Sequence, residues 1–172
     1  MINVLFVCLG NICRSPIAEG VFRDLVHKAG MSENIQCDSA GTASYHIGSL
    51  PDRRIRQIAQ EKGITLSHKA RKLAGDDFYD FDYIVAMDET NFQDIRNQSY
   101  RSSGFYFPED KLFLLREFDP ESESSGENPQ LSVPDPYYED IAVFEEVYQI
   151  VERCGTGLLK FLVEKNQLVE IK

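Results

Sequence analysis

Cys8 and Arg14 stand with five residues between them in Cys8-Leu9-Gly10-Asn11-Ile12-Cys13-Arg14-Ser15, between an apolar run, Val4–Val7, and a helix expected to begin at Pro16. A loop that joins a strand end to a helix start points successive backbone N–H groups into one small volume, and the helix dipole adds positive potential there. Such a loop holds a dianion of the phosphate type. It also favours thiolate over thiol, because cysteines at helix N-termini are more acidic than free ones. Arg14 adds a planar fork that takes two phosphate oxygens at once, which lysine cannot do. An apolar-flanked cysteine is more often an inert core residue. The nearby arginine and the strand–loop–helix setting argue instead for Cys8 as a nucleophile.

A thiolate that attacks a phosphate ester forms a phospho-cysteine and splits one hard hydrolysis into two easier steps. The departing oxygen then needs a proton, and the incoming water later needs a base. Asp135, in Val133-Pro134-Asp135-Pro136-Tyr137-Tyr138, is the candidate for both tasks. Prolines on either side hold it outside helix and sheet. The plainer reading has Asp135 end a turn, as Asp before Pro often does. Tyr137 and Tyr138 are placed to wall a flat substrate ring.

The elements that must position these residues alternate between strand and helix. Asn3–Val7 reads as a buried parallel strand. Ile17, Val21, Leu25 and Ala29 recur at helical spacing behind Ser15-Pro16, an N-cap followed by proline, and Gly30 is the stop. Ile35–Ser39 predicts a second strand with a loop, Ala40–Pro51, after it. Asp52–Lys62 predicts a helix that turns Ile55, Ile58 and Ala59 inward. Tyr83–Met87 is the third expected strand, Glu89–Asn97 the helix behind it, and Leu112–Leu115 the fourth strand. A last amphipathic stretch, about Glu139–Leu162, puts Ile141, Phe144, Val147, Tyr148, Val151 and Leu158 on one side, weakened locally by Gly155 and Gly157. Short strands separated by helices imply an α/β fold, a parallel sheet covered on both faces. Ligands of such sheets bind beyond the carboxyl ends of strands, where Cys8 lies.

At 172 residues the chain is sized for one domain, 1–172, with a core of its own. A net charge of −10 argues against a nucleic-acid partner, so phosphate must be attracted by local geometry. No stretch has the length of a membrane span and the first residues lack a signal-peptide pattern; the expectation is a cytoplasmic protein with no membrane partner. Cys8, Cys13, Cys37 and Cys154 form no CxxC pair and no zinc spacing, which predicts reduced thiols, no metal and no disulfide scaffold. Cys37 and Cys154 read as core residues, and His27 and His46 as surface residues. Arg53, Arg54 and Arg56 read as a solvated helix face, or as a source of positive potential near the cleft.

Four blocks, Val7–Pro16, Asp38-Ser39-Ala40-Gly41-Thr42, Phe81–Asp88 and Pro134–Tyr138, together resemble the low-molecular-weight protein tyrosine phosphatases over essentially the whole chain. The resemblance implies a three-layer sandwich whose four-stranded parallel sheet has the flavodoxin-like order 2-1-3-4. It implies hydrolysis of phosphotyrosine in proteins, with no metal or organic cofactor, by a monomer or weak dimer. In that family's pattern Cys8 is the nucleophile, Arg14 binds phosphate and stabilises the transition state, and Asp135 is general acid and then base. Ser15 would hydrogen-bond the Cys8 sulfur. Leu9, Gly10, Asn11, Ile12 and Cys13 complete the phosphate loop, and Asn11, Ser39 and His68 form the network that shapes it. Leu9, Tyr45 and Tyr137 match the walls of the substrate cleft, with Tyr138 beside them. Cys13 is open between plain packing and a reversible disulfide with Cys8, which members of the family can form. One departure is a longer segment before the acid loop, an insertion at about 120–131 in which Ser122–Gln130 is polar. It either folds over the cleft or extends into solvent.

Neighbouring functions differ at single residues. Arsenate reductases with this loop pass electrons through two further cysteines, and the later ones here, Cys37 and Cys154, are not paired in sequence. Protein-arginine phosphatases typically carry Thr where this loop has Ile12, so the branched apolar residue points toward tyrosine. A non-catalytic phosphate-binding module would keep Arg14 and lose Cys8 or Asp135. Both are present.

Overall fold

The computed structural model describes residues 1–122 and 130–168. Strands β1 (Ile2–Cys8), β2 (Ile35–Gly41), β3 (Tyr83–Ala86) and β4 (Leu112–Leu114) form one parallel sheet in the order β2-β1-β3-β4, as expected. The near-continuous apolar run of β1 explains why it sits centrally. Val4, Phe6 and Cys8 enter one core cluster while Leu5 and Val7 enter the other, so neither face of the strand meets water. Helices α1 (Arg14–Lys28) and α5 (Ile141–Lys165) cover the first face, where Phe6 meets Phe22 edge-on at 5.5 Å. Helix α4 (Glu89–Ser103) covers the second through Ile95. Helix α2 (Arg53–Glu61) leans on α5, and α3 (Asp77–Asp80) is a single turn.

Several boundaries differ from expectation for physical reasons. Helix α1 begins at Arg14, ahead of Pro16, with Cys13 as its N-cap residue and no side-chain cap. Ser15 is therefore not the cap; its hydroxyl is engaged with Cys8 and Asn11. Pro16 still falls in the first turn, where backbone N–H groups lack intrahelical partners and a proline removes nothing. Strand β2 runs on through Ala40 to Gly41, which bonds sideways to the 71–73 segment. Helix α4 continues to Ser103 and stops at Gly104, whose φ of 79° suits a left-handed cap. Helix α5 passes Gly155 and Gly157 unbroken, and Gly157 lets it pack closely, since a Cβ there would collide with the Phe118 carbonyl. Ile141, expected on its inward face, is half exposed at its first residue.

Of the insertion, residues 123–129 lie outside the described residues, and its stems are tied to the body. Buried Asp119 accepts from Arg153 Nε and Nη2, both at 3.1 Å, and from Arg116 Nε at 3.3 Å. Arg116 Nη1 reaches across to the Ser132 carbonyl at 3.3 Å. No helix among the described residues is long and apolar enough to cross a membrane.

Candidate active site

The loop between β1 and α1 is wound so that its carbonyls are used on the outside. Those of Cys8 and Leu9 accept from the Thr42 and Ala43 amides, both at 2.9 Å, and that of Ile12 accepts from Asp52 at 2.7 Å. With those carbonyls turned outward, the Asn11 amide faces inward to the Cys8 sulfur, and inward amides are the arrangement that holds an anion. Gly41 makes the winding possible, since a Cβ there would lie 2.7 Å from the Leu9 carbonyl oxygen. The Cys8 sulfur, nearly buried, accepts from Asn11 N at 3.3 Å and lies 3.0 Å from Ser15 Oγ. Asn11 Nδ2 donates to Ser15 Oγ at 2.8 Å, which leaves the Ser15 proton for the sulfur, the nearer of its two acceptors. Both contacts suit a sulfur that carries negative charge.

Asn11 adopts φ 57°, a left-handed conformation that costs an L residue about 1–2 kcal/mol. Its side chain offsets that cost. Nδ2 also donates to Ser39 Oγ at 3.0 Å, and Oδ1 accepts from His68 Nε2 at 2.8 Å and from Arg71 N at 3.0 Å. His68 Nδ1 in turn stands 3.3 Å from both Glu19 Oε2 and Asp38 Oδ1. Burial pushes the Asp38 carboxyl up, but hydrogen bonds from His68 and the Ser39 amide, with the Arg71 charge, outweigh it and bring it down to about 2. The expected trio of Asn11, Ser39 and His68 is thus assembled, around an acid that was not anticipated. Glu19 is buried, accepts from Ser39 Oγ at 2.6 Å and pairs with Arg23. The signal was available, because Glu19 lies one helical turn beyond Ser15 and so on its face. Glu19, Asp38 and His68 offer ligand atoms within 4.8 Å of one another. The hydrogen bonds with Ser39, Arg23, Arg71 and Asn11 already account for them.

Arg14, buried, directs Nη1 to Asp88 Oδ2 at 2.7 Å and to the Val133 carbonyl at 3.2 Å; Nη2 lies 3.5 Å from Asp135 Oδ2. Burial works against its charge, and Cys8, Asp88 and Asp135 together more than restore it. Asp88 was not singled out from sequence as a partner of Arg14. It stands between β3 and α4, one residue beyond Met87, and N-caps α4 by accepting from Asn91 N at 2.7 Å, a position that a strand–Asp–helix pattern marks. Asp135 stands outside helix and sheet as expected, exposed at the rim, with Oδ1 accepting from Tyr137 N at 3.2 Å.

Cys8, Arg14 and Asp135 line one cleft of about 140 Å³ with Leu9, Gly10, Ile12 and Cys13 of the loop. Its walls are Tyr45 and Tyr138, both exposed, the half-buried Tyr137, and His46. His46, expected to be an ordinary surface residue, is half-buried and faces Tyr137 with ring centroids 5.9 Å apart. Arg54, expected on a solvated face, instead lies 4.2 Å over the Phe144 ring and reaches the acid loop. A larger hollow of about 650 Å³ beside β2 is lined by Cys37 but by neither Cys8 nor Arg14. Burial pushes the Cys37 thiol up to about 12, and it is half-buried rather than fully in the core. Cys154 is buried and likewise pushed up to about 12. Burial, with Asp52 and Cys8 nearby, also pushes the Cys13 thiol up.

The sequence profile of the family described as low molecular weight phosphotyrosine protein phosphatase matches residues 3–168. The chain belongs to this family. It is 45% identical over 158 residues to the low molecular weight phosphotyrosine protein phosphatase of Homo sapiens, covering 92% of this chain and 94% of that one. Among solved structures, a protein tyrosine phosphatase from Entamoeba histolytica with Hepes in the active site superposes with a TM-score of 0.82 at 35% identity, covering 98% and 100% of the two chains. The drosophila arginine phosphatase DARP gives the same TM-score, 0.82, at 31% identity, with 92% and 96% covered. The chain is thereby placed among phosphatases, a hydrolase family with this three-layer fold.

Proposed function

We propose that the protein hydrolyses phosphotyrosine in other proteins through a phospho-cysteine on Cys8. The reading is carried by one observation: a sulfur suited to negative charge, a buried guanidinium and a rim carboxyl open on the same aromatic-walled cleft. The phosphate dianion sits among the loop amides and the Arg14 fork. Nη1 is held by Asp88 and Val133, so Nε, and Nη2 as it exchanges its long 3.5 Å contact with Asp135 for phosphate, serve the equatorial oxygens, where charge develops. Cys8 Sγ attacks phosphorus in line, the S–P bond forms, and the ester P–O bond breaks. Asp135 delivers its proton to the departing phenolate, then takes one from the water that displaces sulfur and frees inorganic phosphate. Ser15 and Asn11 hold the sulfur, and Ser39 and His68 hold Asn11. Leu9, Tyr45, Tyr137 and Tyr138 flank a flat ring, and Ile12 lines the cleft with an apolar side chain that favours aryl over guanidino phosphate.

The similarity to an arginine phosphatase gives the competing reading its weight. Turnover on matched phosphotyrosine, phosphoserine and phosphoarginine peptides decides between them. Phosphotyrosine is expected to be hydrolysed fastest; a faster phosphoarginine peptide overturns the assignment. The four free cysteines support a reducing, cytoplasmic setting. Cys8 and Cys13 line one cleft, which supports a redox-sensitive site in which oxidised Cys8 condenses with Cys13. Peptide mapping after peroxide treatment is expected to show that disulfide, and sulfinic or sulfonic Cys8 alone contradicts it.

A further inference from the structure

Arg54 is partly exposed, yet it is also a junction. Its Nε and Nη2 donate to the two oxygens of Asp52, each at 3.0 Å. Nη2 also donates to the Tyr137 carbonyl at 2.9 Å and Nη1 to the Glu139 carbonyl at 3.3 Å. The guanidinium plane rests on Phe144 of α5. Asp52 is tied in turn to the phosphate loop, its amide donating to the Ile12 carbonyl at 2.7 Å. A continuous path of hydrogen bonds, Ile12 to Asp52 to Arg54 to Tyr137 and Glu139, therefore joins the loop that carries Cys8 to the loop that carries Asp135.

Asp135 needs such a path. Its side chain is about half exposed and, among the described residues, meets one backbone amide and the 3.5 Å approach of Arg14. Its position must then be set by the backbone on either side. Upstream, Val133 N donates to the Met87 carbonyl at 2.7 Å and the Val133 carbonyl accepts from Arg14. Downstream, the carbonyls of Tyr137 and Glu139 are held by Arg54, and Pro134 and Pro136 stiffen the stretch between. We propose that Arg54 is the positioning residue that keeps Asp135 at proton-transfer distance above the phosphate loop. The proposal rests on Asp135 being the general acid. Only a planar fork of several donors can serve two carbonyls, a carboxylate and an aromatic face together, so lysine is not an equivalent.

The test is the burst rate of phenol release from aryl phosphates with good and poor leaving groups. It is measured for wild type, Arg54→Lys, Arg54→Met, Asp135→Asn and the Arg54→Lys/Asp135→Asn pair. Arg54→Lys keeps the charge and stem over Phe144, so it serves even where Arg54→Met does not fold. The expected result is a loss of roughly 10–100-fold on poor leaving groups for Arg54→Lys, since small misplacements of a catalytic group cost up to about 10². The loss should be clearly smaller on good leaving groups, with inhibition by inorganic phosphate unchanged and no further loss once Asp135 is Asn. An equal loss across leaving groups, or a lower Tm with wild-type leaving-group dependence, overturns the proposal. So does a multiplicative loss in the double variant. Asp135→Asn without leaving-group dependence removes the acid, and the proposal with it. Dependence in Asp135→Asn but not in Arg54→Lys removes the positioning role alone.

Discussion

The two loops that meet at the cleft are built in opposite ways. The loop from Cys8 to Ser15 is largely buried, and its key side chains are each held by several partners: Asn11 by Ser15, Ser39, His68 and Arg71, and Arg14 by Asp88 and Val133. The acid loop from Pro134 to Tyr138 leaves Asp135 and Tyr138 exposed and is gripped through main-chain carbonyls. The contrast matches the two tasks. Charge on a phosphoryl group is stabilised best by donors already in place, because they need no reorganisation during reaction. A proton donor must instead reach leaving groups of different shape and then meet water. Rigidity is concentrated where charge changes, and exposure where substrates vary.

Replacing a residue on each side should expose this division. The largest effect is expected for Cys8→Ser, which removes the attacking sulfur and should lower kcat by on the order of 10⁶, as loss of an enzyme nucleophile does. Inorganic phosphate should still bind, and calorimetry alongside a turnover assay checks both; appreciable turnover would falsify the role of Cys8. On the open side, Asp135→Asn should cost about 10²–10⁴ with poor leaving groups and less with good ones. A leaving-group series measures that, and a uniform loss rejects the acid. Asp88→Asn keeps the α4 cap but weakens the charge-assisted bond that aims Arg14. About 1 kcal/mol, roughly fivefold in kcat, should be lost, and an unchanged kcat means that Arg14 is aimed without it.

The smallest effect concerns pH and stability. Asp38 titrates at about 2 in the folded protein, below its value of about 3.9 when unfolded, so the unfolded chain binds more protons between these values. Its contribution is therefore present above about pH 4 and lost as pH falls toward 2. Tm measured against pH for wild type and Asp38→Asn should converge over that acid window; a constant offset contradicts the linkage. Because the carboxylate is partly exposed, the effect should be modest and reduced by salt.

The residues proposed for the chemistry were more legible in sequence than those that hold them in place. Cys8, Arg14 and Asp135 could be read from residue type, spacing and flanking prolines, and the strand order followed from the resemblance of four blocks. Helix starts were less legible. Ser15 looks like a cap, and nothing local shows that its hydroxyl is bound to a sulfur and an amide instead. Glu19 and Asp88 were partly readable, one from helical spacing and the other from its place between strand and helix. Arg54 was not. A surface-type arginine becomes a junction only when α2, the acid loop and Phe144 are brought together by tertiary packing that leaves no periodic trace. His46 was missed for the same reason, because its partner Tyr137 is distant in sequence.

The most direct measurement is to quench the enzyme within its first turnover of an aryl phosphate and locate the trapped phosphoryl group by peptide mapping and phosphorus NMR. A thiophosphate on Cys8, formed as fast as phenol is released and absent from Cys13, is the expected result. Phenol release without phosphate on Cys8, or phosphate on another residue, contradicts the account.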